Sequence, residues 1–156
     1  MNKLSHIDDS GNATMVDVSE KKITARLAVA SGRVLFPPSV FETLAQQDFL
    51  GKKGSIIQTA VIAGIQAVKK TSDLIPLCHQ INLSKVNIDI TPQNNSLEIV
   101  CTVKCSERTG VEMEALTGVS VSALTIYDMC KALSHDIVID KIMLKEKTGG
   151  KNDYRS

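Results

Sequence analysis

Aromatic residues make up only 3% of the 156-residue chain, and tryptophan is absent. No strand-like stretch carries the aromatics on which an RNA-recognition sheet stacks bases, which sets RNA binding aside. Neither sign of charge is in excess. With a net charge of +1, no global field recruits nucleic acid or an anionic membrane, and any anion site must be local. Nowhere do 18 uncharged apolar residues line up, and MNKLSHIDDSGNATM at the start has no apolar run behind its lysine. Neither a membrane span nor a secretory leader is expected, and the expected location is cytoplasmic. The four cysteines, without a secretory signal, are expected as reduced thiols rather than a disulfide framework. No close CxxC or HxxxH pair is followed by a second, so no metal site is expected.

Hydrophobic residues account for 43% and charged ones for 22%, which suits one globular domain with a real core. Residues 1–20 are polar and without sustained periodicity and are expected as a flexible lead-in. Residues 21–147 form the expected domain, and 148–156 a flexible glycine-containing tail. From Ile23, alternation through Ala25, Leu27 and Val29 predicts a strand with these residues on its core face and Arg26 turned away from it. Pro37 and Pro38 then open a short helix, with Ser39 as N-cap and Glu42 as its capping-box partner. Ser55 to Lys70 predicts a helix with a stripe of Ile57, Ala60, Val61, Gly64, Ile65 and Val68.

INLSKVNIDIT predicts a strand whose apolar parity shifts, implying a bulge near Lys85. The turn PQNNS leads to LEIVCTVKC, with Leu97, Ile99, Cys101, Val103 and Cys105 on one side of a hairpin. A long helix is expected from about Met113 to Leu133, and a last strand from Ile137. Strand, helices, strand, strand, helix, strand is the α+β, ferredoxin-like βαββαβ order: an antiparallel sheet with helices on one face and the other face open. An open sheet face usually meets another subunit.

Four motifs carry chemistry. GKKGS places Lys52 and Lys53 beside a helix N-terminus between two glycines, which suits a phosphate or carboxylate as well as it suits a solvated loop. GVEME sets Glu112 and Glu114 at the N-terminal pole of the long helix, where carboxylates are favoured. That helix has no charge between Ala115 and Tyr127, and Val121 and Leu124 lie opposite its Leu116–Leu133 stripe. Asp128 and Lys131, neighbours on the second apolar side, are therefore expected in apolar surroundings, where burial or pairing adjusts a carboxylate and an amine for acid/base work. In DLIPLCHQI, the adjacent Cys78 and His79 admit a metal corner, a nucleophile with its base, or a histidine aimed at substrate. On an extended segment neighbours point to opposite sides, which weakens the second reading. Cys101, Cys105 and Cys130 read as small core hydrophobes.

LIPLCH, GVEMEALTGVSVSALTIYDMCKA, MVDVSEK and KTGGK together closely resemble the cyclic pyranopterin monophosphate synthases, the molybdenum cofactor biosynthesis protein C family, from His6 to Lys151. Gln80 departs from the family, in which proline or asparagine is commoner after the histidine. The resemblance implies a ferredoxin-like lyase assembled as a homohexamer, a trimer of dimers, with sites between subunits. It implies a cyclised dihydro-GTP, 3′,8-cyclo-7,8-dihydroguanosine 5′-triphosphate, as substrate, and cyclic pyranopterin monophosphate and pyrophosphate as products. By this resemblance Leu77, Cys78 and His79 form one substrate-binding segment, and Met113 and Glu114, with Glu112 beside them, a second. Asp128 is the catalytic acid/base, Lys131 its partner, and Lys53 and Lys147 are lysines placed at the substrate. No cofactor is implied. The rival expectation is a non-catalytic, ligand-sensing oligomer of the same fold.

Overall fold

Thr24–Leu35 forms β1, the hub of the sheet. Its buried residues are Ala28, Ala30, Gly32 and Val34, not the Leu27 and Val29 parity expected from the sequence. Periodicity identifies two faces but not which of them a helix covers. Here the smaller side chains lie under the helix, where backbones approach most closely, and the larger ones stand half-buried on the uncovered side. Arg26 therefore shares the parity of the covered face, contrary to the expectation, but beyond the buried stretch.

The computed structural model describes residues 4–156. After β1 come α1 (Pro38–Gln46), β2 (Leu50–Gly51), β3 (Gly54–Ser55), α2 (Ile56–Lys69), α3 (Thr71–Leu74), β4 (Leu83–Gln93), β5 (Ser96–Glu107), α4 (Glu112–Cys130), β6 (Val138–Thr148) and β7 (Tyr154–Arg155). The main sheet runs β4-β5-β1-β6-β7, and each neighbouring pair is antiparallel. β5 separates β1 from β4, and β1 separates β5 from β6. Each strand–helix–strand crossover thus spans one intervening strand, the ferredoxin-like arrangement. α4 packs on β1, β5 and β6, and α2 on β4.

Local sequence explains the joints. The register shift between Leu83 and Lys85 is the expected bulge. Asn94 and Asn95 turn β4 into β5 with φ of 47° and 62°, the left-handed geometry of a tight hairpin that asparagine tolerates. Leu97, Ile99, Cys101, Val103 and Cys105 are all buried, as the alternation requires. Ser55 caps α2 by accepting from the Gln58 amide at 3.2 Å. α1, by contrast, starts one residue before the expected Ser39 cap: Pro37 is the N-cap, Pro38 lies at N1, and no side chain caps the helix. Proline already fixes the backbone angle that a first helical residue needs, so the capping box with Glu42 does not form.

α2 and α4 cross closely because Gly64 and Gly118 lie at the contact. A Cβ at Gly64 would collide with Ser122, and one at Gly118 would stand 2.6 Å from Val68 and 2.8 Å from the Cys101 sulfur. The close approach lets Ser122 Oγ donate to the Ala60 carbonyl at 3.0 Å, so this fully buried hydroxyl is satisfied. At the chain ends, residues 1–3 of the expected lead-in lie outside the described residues. Asp8 closes a turn by accepting from the Ser10 and Asn12 amides, and β7 pairs with Glu146 and Lys147 of β6. No helix among the described residues is long and apolar enough to cross a membrane.

Candidate active site

α4 carries chemically useful groups at both ends. At its C-terminal end, Asp128 and Lys131 share a cleft of about 730 Å³ with Lys52 and Lys53, walled by Leu44, Leu50 and Met129. The two lysines sit at the tip of the β2–β3 hairpin, which releases the chain directly into α2. A flat two-residue ladder holds little by itself, but the Phe49 carbonyl accepts from the Ile56 amide at 2.9 Å and ties the hairpin to the helix. Lys53, distant in sequence from Asp128 and Lys131, thus meets that pair in space.

Asp128 and Lys131 form an ion pair at 2.8 Å, with their side chains 60% and 58% exposed. Apolar side chains wall one side of their cleft, but the burial expected for them is absent within one chain. Leu124 is 59% exposed and Val121 only half-buried, because α4 lays one side on the sheet and α2 and presents the other to solvent. The hydrogen bond from Lys131, and its charge, hold the Asp128 carboxyl below its ordinary value, with a smaller contribution from Lys53. Asp128 reciprocally holds Lys131 above its own. The pair rests in the charged state, carboxylate beside ammonium.

At the N-terminal end, Glu112 and Glu114 occupy the first turn of α4. Glu114 is only 4% exposed, and burial pushes its carboxyl up to about 7, the Glu112 charge adding to the rise. Met113 is 38% exposed. Glu112 faces the opposite environment: Lys147 Nζ lies 3.5 Å from it, in a cleft of about 680 Å³ that also gathers Lys21, Lys22, Arg26 and Lys151. Sequence reasoning missed these last four. Lys21 and Lys22 were adjacent lysines in a polar stretch, the one available signal. Arg26 and Lys151 reach the cleft only because the tail folds onto β1, where Thr24 Oγ1 donates to the Gly149 carbonyl at 2.8 Å. Gly149, at φ +90°, passes so close to the Ala25 carbonyl that a side chain has no room.

Leu77, Cys78 and His79 are half-buried on the loop after α3, whose turn is closed by the Cys78 amide bonding the Ile75 carbonyl at 3.2 Å. Burial first, then the nearby Glu114 charge, raises the Cys78 thiol. A thiol driven away from its thiolate is a poor nucleophile. His79 hydrogen-bonds the Val16 carbonyl at 2.7 Å. Cys101, Cys105 and Cys130 are buried free thiols, and burial pushes Cys101 to about 12 and Cys130 to about 11.

Residues 15–150 match the MoaC family. The chain belongs to the MoaC family. It is 53% identical over 152 residues to the cyclic pyranopterin monophosphate synthase of Xanthomonas campestris pv. campestris, covering 97% of this chain and 92% of the relative. It is 53% identical over 154 residues to the protein of that name from Chloroflexus aurantiacus, covering 97% and 93%. It is 53% identical over 150 residues to that of Streptomyces avermitilis, covering 96% and 87%. The MoaC match includes both ends of α4, the Leu77–His79 loop, the β2–β3 hairpin and Lys147.

Proposed function

We propose that this chain is a cyclic pyranopterin monophosphate synthase, a lyase that acts in molybdenum cofactor biosynthesis. It converts 3′,8-cyclo-7,8-dihydroguanosine 5′-triphosphate to cyclic pyranopterin monophosphate with release of pyrophosphate. The observation that carries the reading is the meeting of Lys53, Asp128 and Lys131 in one cleft of a chain that belongs to the MoaC family. Rebuilding the base as a pterin and closing a cyclic phosphate both require proton transfers. A carboxylate and an ammonium 2.8 Å apart suit them, each such group contributing typically ~10²- to 10⁴-fold. Lys53 supplies positive charge for phosphate, and the leaving pyrophosphate needs more of it. The Lys21, Lys22, Arg26, Lys147 and Lys151 cluster suits a polyphosphate as a second anion-binding region.

The two groups of residues lie at opposite ends of α4. Fourteen residues separate Glu114 from Asp128, about 21 Å of helical rise, too far for one nucleotide-sized substrate to be worked on by both ends in one chain. We therefore place each site between subunits. The Glu112, Met113, Glu114, Leu77, Cys78, His79 and Lys147 end of one chain meets the Lys53, Asp128 and Lys131 end of another, in a homohexamer built as a trimer of dimers. The half-exposed Val121–Leu124 side of α4 and the open sheet face supply apolar surface for such contacts. The free thiols suit the cytoplasm. The decisive test is incubation with the cyclised dihydro-GTP while pyrophosphate is followed. Stoichiometric release with formation of the cyclic phosphate product is expected, whereas a non-catalytic sensor would bind the nucleotide and release none.

A further inference from the structure

Val16, Asp17 and Ser19 lie on the MVDVSEK stretch, in the lead-in expected to be flexible, and none was among the candidate site residues. The structure gives them defined contacts. Asp17 Oδ1 accepts from the Ser19 amide at 2.9 Å and from the Ser19 hydroxyl at 2.6 Å, a carboxylate-closed turn of the kind that fixes local backbone direction. That turn presents the Val16 carbonyl to His79 Nε2 at 2.7 Å across 63 residues of sequence. A carbonyl only accepts, so Nε2 must carry the hydrogen, and in the neutral ring Nδ1 must then be the lone-pair nitrogen.

Among the described residues Nδ1 has no hydrogen-bond partner. Resting on the functional reading above, we propose that the Asp17-closed turn is a positioning device that holds His79 as the Nε2–H tautomer, so that Nδ1 accepts a hydrogen bond from an N–H or O–H of the substrate. Val16 and Asp17 act through His79 and need not touch the substrate. The part of the substrate that His79 meets is then a donor, a ribose hydroxyl or a base N–H, rather than a phosphate oxygen.

The proposed role rests on an Oδ1 acceptor at position 17, but the Asp17 charge also interacts with the His79 ring, and two variants separate the acceptor from the charge. Asp17→Asn keeps the acceptor and the turn; Asp17→Ala loses both. The chain has three histidines, so protein with ¹⁵N-labelled imidazoles gives spectra in which His79 is assigned by its loss in His79→Gln. In the wild type, wherever the ring is neutral, His79 should show a protonated Nε2 and an unprotonated Nδ1. Asp17→Ala should move both resonances towards the values of mixed tautomers and lower kcat by about tenfold or more, with a smaller change in KM. Asp17→Asn should keep the wild-type spectrum and most of the turnover. A wild-type ring protonated on Nδ1, an unchanged spectrum in Asp17→Ala, or an Asn variant that fails like the Ala variant overturns the proposal. The spectra require no substrate, so a wild type that releases no pyrophosphate defeats the functional reading while the tautomer is still decided.

Discussion

Glu114 and Asp128 are both carboxyl groups on one helix, and their surroundings drive them in opposite directions. Asp128, exposed and paired, stays ionised; Glu114, buried, holds its proton up to about 7 against an ordinary 4.5. A folded-state value above the unfolded one means that the stabilising contribution is fully present below pH 4.5 and is lost as pH rises through about 7. Integrated, the loss amounts to about 3 kcal/mol. Glu114→Gln, which is always neutral, should therefore match the wild type in denaturant stability near pH 4.5 and exceed it at pH 8. Equal stabilities at pH 8 would show that the carboxylate finds a partner there. Asp128→Asn and Lys131→Met should each leave the melting temperature nearly unchanged, since an exposed pair stabilises little. Their turnover should fall by orders of magnitude, and the double variant should be scarcely worse than the worse single one. A large loss of melting temperature with near-normal turnover would show that the pair is structural rather than catalytic.

Elements meet here through small residues. Gly64 and Gly118 let α2 and α4 cross at a distance that places the Ser122 hydroxyl on the Ala60 carbonyl. Gly118→Ala improves helix propensity by roughly 1 kcal/mol in isolation. Its new methyl, however, would stand 2.6 Å from Val68 and 2.8 Å from Cys101, contacts that a packed core relieves only by shifting, at about 1–3 kcal/mol. The expected net result is destabilisation, read as a lower urea midpoint with an unchanged m-value; a stabilised variant would show that the crossing has slack. Gly64 was visible in the sequence as part of the α2 stripe, whereas Gly118 lay on neither side named for the long helix. Which helix each glycine faces was not, because a periodic stripe names a face without naming its neighbour.

At the scale of the whole molecule, the proposed division of the site between chains predicts complementation. His79→Ala should damage the proposed N-terminal end of the site and Asp128→Asn the proposed C-terminal end, and each should nearly abolish turnover when pure. Dissociated and reassembled together, they should regain up to roughly a quarter of wild-type activity, the share of sites expected under random pairing to receive both intact halves. No recovery from a mixture shown by mass to contain mixed oligomers would place both halves in one chain. Light scattering that found only a 16.9 kDa species would also defeat the shared site.

Much was decided by the sequence alone. Alternation and helical spacing marked β4, β5, α2 and α4, the parity shift marked the bulge at Lys85, and motif resemblance pointed to the ends of α4, where the proposed site is placed. These are properties of neighbours along the chain, and neighbours interact whatever the rest of the fold does. Tertiary structure decided the rest. It put α4 over the Ala28 and Ala30 side of β1 instead of the Leu27 side and left Asp128 exposed where a two-sided apolar helix had implied burial. It folded the tail back so that Lys147 and Lys151 join Lys21 and Arg26, and it brought Val16 to His79. Each of these depends on which surface another element, or another chain, comes to cover, and that contact lies between residues no local pattern links.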